Sequence, residues 1–212
     1  MAEIGDRGPA SEFLPVERFN AFTDGVFAIA ITILVLELSV PSAEESLIPA
    51  LVERWHEYLG YVISFVFLGG IWVAHAGMTR LMVKADVIAY GIDLLMLLFV
   101  GTLPFTTALM VTHFQGADAT VAVMIYGINL LLASGALSLL MFYVASERSL
   151  VADTVADQEL AAKVRRRWLV IGVNLVAIGV AVVAPLVAVG LYLAATLIAL
   201  LTPLVRLRRH GS

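Results

Sequence analysis

The chain has 212 residues, of which 61% are hydrophobic and 14% charged, with a formal net charge of −4 and a mean hydropathy of +0.96. A soluble domain carries about 45–50% apolar and about 25% charged residues, and a core of this size cannot hide the excess. That excludes a soluble enzyme and points to an integral membrane protein; the acidic balance leaves no basic footprint for nucleic acid, and the lack of cysteine removes disulfides, cysteine–zinc sites and thiol catalysis.

A membrane-crossing helix needs about 20 apolar residues to span the ~30 Å hydrocarbon core. Residues 1–17 are polar, hold Gly8, Pro9 and Pro15, and lack the basic start and cleavage site of a signal peptide, so they read as a short tail. The predicted spans then run over 19–40, ending at Pro41, 58–78, 87–111 and 120–144. From 168 to 205 no charge interrupts the chain. One helix of that length would reach about 57 Å, nearly twice the core, so two helices must fold back near Pro185. The result is an all-α fold with six transmembrane helices filling residues 18–206, between tails at 1–17 and 207–212. No internal repeat is visible.

Lysine and arginine set the orientation. With six spans, both termini share one side with Arg7, Arg18, Arg80, Lys84, Arg148, Lys163, Arg165, Arg166, Arg167, Arg206, Arg208 and Arg209, leaving Arg54 alone opposite. The termini are therefore expected in the cytoplasm, and the outer loops carry Glu44, Glu45, Glu53, Glu57 and Asp118. The longest inner loop, 146–167, is expected to extend a helix, because Thr154-Val-Ala-Asp157 resembles a capping box. Its basic cluster reads as an ordinary positive-inside anchor, with contact to anionic lipid as the alternative.

Ionisable residues inside a span are expensive and mark function or pairing. Asp24 lies about 9 Å inward from Arg18 at helical rise, and His75, descending toward Arg80, reaches a similar depth with Trp72 one turn above. The expected network joins Arg18, Asp24, Trp72 and His75, and it locks spans one and two together rather than binding a substrate. Asp93 is expected to be buried against other helices. Glu37, near the outer end of span one, either draws cations to a mouth or snorkels into water.

Along span one, Gly25, Ile29, Thr32, Ile33 and Leu36 fall on one stripe, which Glu37 continues from Ile33. Copies of this helix around an axis would form a tube with an apolar constriction and one hydroxyl layer, and such constrictions gate by dewetting. Composition alone leaves plain helix packing as the commoner reason for an apolar stripe.

Arg18, Phe22, Thr23 and Asp24 read as R-x-x-x-F-T-D. This resembles the R-x-x-x-F-S-D signature of the transmembrane protein 175 family, potassium-permeable channels of lysosomes and of many bacteria and archaea. The run from Gly25 to Leu38, the segment Trp72-Val-Ala-His75 and the segment Leu103-Pro104-Phe105-Thr106-Thr107 are also similar to that family. Thr23 departs from the signature serine; it keeps the hydroxyl but adds a methyl and stiffens χ1. The resemblance implies a homotetramer with span one of each subunit lining a central pore. It implies a hydrophobic gate at Ile29, supporting layers at Ile33 and Leu36, and a potassium-preferring hydroxyl layer at Thr32. Arg18, Phe22, Thr23, Asp24, Trp72 and His75 would hold the pore helix in place.

The chain has neither the Thr-Val-Gly-Tyr-Gly filter of ordinary potassium channels nor an arginine-rich voltage sensor, so modest selectivity for potassium over sodium is expected. Potassium is the permeant species, and no cofactor or metal centre is expected. The partners are other copies of the chain and the bilayer, in the plasma membrane of a prokaryote. A secondary transporter is the alternative, although repeats and mid-membrane breaks are missing and Pro104 is the one proline away from the end of a span. An enzyme is disfavoured: there is no H-E-x-x-H, G-x-S-x-G or P-loop, and His75 and His113 sit at opposite ends of their spans.

Overall fold

The computed structural model describes residues 13–209. Residues 1–12 and 210–212, with Arg7 and parts of both expected tails, lie outside the described residues. The first span forms α1 (Val16–Ile33), which tightens into a 3₁₀ turn at Leu34–Glu37. The outer loop holds a short helix, α2 (Leu47–Glu53), that hydropathy did not signal. The next spans are α3 (Trp55–Thr79), α4 (Val87–Thr112) and α5 (Ala119–Ser146). Val16–Glu37, Trp55–Thr79, Val87–Thr112 and Ala119–Ser146 are long and apolar enough to cross a membrane. The uncharged run from 168 onward doubles back as expected: α6 (Asp157–Ala181) and α7 (Pro185–Arg209) are separated by a turn in which Ala184 N–H donates to Val180 O.

Two expected boundaries shift. Helix α1 takes in Val16 and Glu17, which the sequence assigned to the tail. The capping box at Thr154 does not form, because α6 starts at Asp157 after Ala156, with no side-chain cap. The reason is the preceding chain: residues 152–155 close a turn of their own, with Val155 N–H on Ala152 O and Arg148 Nη2 on Val155 O, both at 3.0 Å, so the helix begins after it.

The core lies between α4 and α5. Along α5, Val123, Tyr126, Leu130, Ala133, Leu137, Leu140 and Val144 are buried at alternating spacings of three and four, a single helix face. Close helix approach is set by two glycines. A Cβ on Gly60 would lie 2.5 Å from Val111 Cγ2, where α3 meets α4, and a Cβ on Gly127 would collide with the Tyr192 ring where α5 meets α7.

Pro104 sits inside α4 and removes one backbone donor from the ladder. Next to that gap, Asn129 Nδ2 of α5 donates to Phe99 O at 3.1 Å and to Thr106 Oγ1 at 3.2 Å. A second buried link joins Ser64 of α3 to Thr107 of α4 and Tyr126 of α5 at 2.8 and 3.0 Å.

One end of the bundle is tied together by backbone. Strand β1 (Phe13–Leu14) pairs antiparallel with β2 (Ala85–Asp86), fixing the entry to α1 against the α3–α4 connection. That connection also bridges to the α5–α6 loop, where Val83 N–H donates to Leu150 O and Ala152 N–H to Leu81 O. Arg18, Arg80, Lys84, Arg148, Lys163 and Arg165 are all carried at this end. At the other end Arg54 pairs with Glu45 at 3.0 Å, and chiefly that hydrogen bond holds the Glu45 carboxyl below the usual carboxylate range.

Candidate functional site

Helix α1 has two different faces. Phe19, Thr23, Phe27, Ala30 and Leu34 are buried against the rest of the bundle at spacings of four and three. The opposite face carries Phe22, Gly25, Ile29, Thr32, Ile33 and Leu36, all exposed. Ile29 is 61% exposed, Ile33 39% and Leu36 77%, so most of the expected gate surface has no partner among the described residues. Thr32 Oγ1 sends its proton back to the helix, toward Ala28 O at 3.0 Å and Ile29 O at 2.9 Å. Its lone pairs therefore point outward, where they accept from water or face a cation.

The outer end differs from the sequence reading. A continuous α-helix would place Glu37 over Ile33. The 3₁₀ turn at Leu34–Glu37 instead eclipses residues three apart, so Leu36 stacks over Ile33 and Glu37 turns aside. Glu37 is half-buried, not the next residue of the stripe. Beyond it, the buried Glu57 carboxylate of α3 accepts from Ser39 N–H at 2.7 Å and anchors the exit from the turn.

The intramembrane polar residues form two groups where the sequence predicted one. Trp72 Nε1 donates to Asp24 Oδ1 at 2.7 Å, joining α3 to α1 on the outside of the subunit. His75 does not join them. Its Nε2 lies 3.0 Å from Asp93 Oδ1 of α4, close but off the axis of an aligned hydrogen bond. Thr23 Oγ1 donates to the other carboxylate oxygen, Asp93 Oδ2, at 2.6 Å. All three residues are buried, so one carboxylate ties α1, α3 and α4 together. Phe19 closes the group, stacking on His75 at 5.5 Å and meeting Tyr90 edge-on at 4.8 Å. Helix direction explains the split: Thr23 and Asp24 are neighbours about 100° apart around α1, so they cannot face the same partner. Arg18 is exposed and makes no hydrogen bond or ion pair among the described residues. Phe22 is exposed beside it.

Asp93 is the buried polar residue the sequence reading left without a partner. The depth argument used for Asp24 would have found it: Asp93 lies six residues into α4 from the same end, again about 9 Å deep. Among the described residues there is no group of acidic and histidine side chains able to hold a metal ion.

The chain matches known proteins in sequence and in fold. The sequence profile of the endosomal/lysosomal potassium channel TMEM175 matches residues 18–104. A protein of Chamaesiphon minutus named potassium channel Cha6605_3372 is 31% identical over 171 residues, covering 79% of this chain and 84% of that protein. The chain belongs to the TMEM175 family. A potassium channel of Streptomyces collinus, B446_29190, is 37% identical over 114 residues, but the match spans 52% of this chain and only 55% of that relative's length. The crystal structure of a lysosomal potassium-selective channel TMEM175 homolog from Chamaesiphon minutus superposes with a TM-score of 0.80 at 29% identity, covering 88% of this chain and 97% of that one. The TMEM175 profile begins at Arg18 and ends at Pro104, so it contains Thr23, Asp24, Trp72, His75 and Asp93 together.

An indole N–H on a carboxylate is a charge-assisted hydrogen bond, and the Trp72–Asp24 pair lies on the subunit surface. Trp72→Phe is expected to lower the thermal stability of the assembled protein by about 1 kcal/mol, with Asp24→Asn smaller because an amide oxygen still accepts. Fluorescence-detected size exclusion after heating reads both; no shift from either would remove the pair from the framework of α1.

Proposed function

We propose that this protein is a potassium-permeable cation channel, modestly selective for potassium over sodium, assembled as a homotetramer of six-span subunits. The α1 helices of four subunits line the central pore. The observation that carries this reading is the unpartnered stripe Gly25, Ile29, Thr32, Ile33 and Leu36 on a helix whose other face is fixed by buried side chains. Asp24 adds support: an exposed carboxylate at membrane depth is costly against lipid and is satisfied against a neighbouring subunit or water. The family relatives named potassium channels support the choice of ion.

Ile29 is the principal gate, with Ile33 and Leu36 as further apolar layers. Water leaves such a constriction, and an ion cannot cross without its hydration shell. Thr32 supplies the polar layer between them. Because its proton is engaged by the helix, its oxygen faces the pore, which suits a cation and not an anion. Side-chain hydroxyls hold no rigid cage, so the preference for potassium stays modest. Glu37 stands beside the outer mouth and contributes weakly through its field. The basic end of the bundle faces the cytoplasm of a prokaryote, with the subunit in the plasma membrane.

The test is planar-bilayer recording of the purified protein with potassium on one side and sodium on the other. Unitary currents that reverse on the potassium-selective side are expected. Thr32→Ala is expected to reduce the potassium preference about two- to tenfold, the worth of one hydroxyl interaction, while Thr32→Ser retains it. Saturable flux without unitary currents would replace the channel with a transporter.

A further inference from the structure

Most of the basic cluster at the start of α6 is engaged within the fold. Arg167 is buried, with Nε on Ser138 Oγ and Nη2 on Ser134 O of α5. Lys163 reaches back to Gly77 O of α3 at 3.2 Å. Arg148, in the loop before it, is held by Val155 O and Asp157. Arg165 is different: it is exposed and has no hydrogen-bond or ion-pair partner among the described residues.

Arg165 borders a groove of about 420 Å³ between the end of α5 and the start of α6. Two small residues, Ala145 and Ala161, line it together with Phe142 and Val164. Trp168, one turn along α6, closes its membrane side, and Ser146 lies at its other end. The walls are mostly apolar, with one cation at the rim and an indole at the level where aromatic belts sit. Helix α1 packs on α3 and α4, whereas α6 packs on α5 and α7, so the groove lies away from the proposed pore face.

We propose that this groove binds an anionic glycerophospholipid, one per subunit, at the basic end of the bundle. The Arg165 guanidinium holds the phosphate, since its fork matches two phosphate oxygens. Ser146 Oγ already donates to Tyr143 O, so its lone pairs receive a headgroup donor, such as a glycerol hydroxyl. An acyl chain lies along Phe142, Val164 and Trp168. Charge complementarity selects this occupant: a cationic rim above an apolar trough fits a net-anionic head on a hydrocarbon tail, whereas phosphatidylcholine offers the same phosphate but sets its choline cation beside the arginine.

The proposal rests on the membrane reading but not on ion conduction. Native mass spectrometry of the intact assembly in detergent, with phosphatidylglycerol and phosphatidylcholine supplied in equal amounts, tests it. Retained phosphatidylglycerol is expected in preference, up to one molecule per subunit. Arg165→Gln is expected to reduce retention about fivefold, the value of one arginine near a headgroup. Ala161→Phe, which fills the groove and leaves the charge, is expected to reduce retention of both lipids. Equal retention of the two lipids by the wild type, or unchanged retention in Arg165→Gln, would mean an ordinary annular shell and overturn the site. Bilayer currents are read separately, so loss of the lipid preference in a conducting protein removes this site alone.

Discussion

Replacing Ile29 with asparagine raises resting cation flux at least about tenfold, equivalent to lowering the conduction barrier by about 1.4 kcal/mol. The physical cause is wetting. In the proposed tetramer four apolar side chains facing an axis exclude water, and four amides hydrogen-bond to it, so the constriction fills and the ion keeps its shell. Ile29 is 61% exposed within its own subunit, so the change opens no cavity in the core and should leave folding intact. Size exclusion and melting temperature establish that independently of the current. Ile29→Leu keeps the apolar layer and is expected to keep the flux low. Wild-type flux and selectivity in a correctly assembled Ile29→Asn protein would remove Ile29 from the gate.

Replacing Asp93 with alanine is expected to be the most damaging polar change in the subunit. It strips the acceptor from Thr23 and the partner from His75 at one stroke, leaving two orphaned polar groups in a site closed by Phe19. Leaving a buried polar group without its partner costs about 1–3 kcal/mol in soluble proteins, and here two groups lose theirs. Interhelical polar contacts in membranes measure lower, because the unfolded helices find partners in the bilayer, so about 2–3 kcal/mol is expected here. Equilibrium unfolding in mixed micelles reads the loss. The triple replacement Thr23→Val, His75→Leu, Asp93→Leu removes the orphans along with the carboxylate and is expected to recover much of the stability. A cost for Asp93→Ala within about 0.5 kcal/mol, the range of an ordinary surface change, would show that the carboxylate does not hold α1 to α3 and α4.

The helices were legible because bilayer thickness fixes how much apolar chain is needed, and that length can be counted. The fold-back before Pro185 followed from the same arithmetic. Depth was legible to within a turn: His75 was set level with Asp24, and the residue that reaches Asp24 is Trp72, one turn further from the basic end. Rotation was not. Whether His75 meets Asp24 or Asp93 depends on how α3 turns about its axis between α1 and α4, and no residue count supplies that angle. The turn at Leu34–Glu37 was hidden for a related reason. Leu34-Val-Leu-Glu37 is as compatible with α as with 3₁₀ geometry, and the choice is made by tertiary contacts such as the one from Ser39 to Glu57. The capping box failed because residues 152–155 close a turn of their own, with Val155 N–H on Ala152 O. The strands at 13–14 and 85–86 bring together positions far apart in sequence, with only two residues each to announce them.

The chain contains no cysteine, so single cysteines can be introduced without a background. The most direct test of an α1-lined pore places them one at a time at Gly25, Thr32, Ile33 and Leu36. Controls go at Leu98 on the exposed face of α4 and at Leu132 on that of α5. A charged, water-soluble thiol reagent is then applied during bilayer recording. The expected result is a change of current from the α1 positions, those beyond the gate reacting from one side only, with Leu98 and Leu132 silent. Modification without effect along α1, with current altered from the α4 or α5 position, would place the ion pathway elsewhere and contradict the pore assigned here.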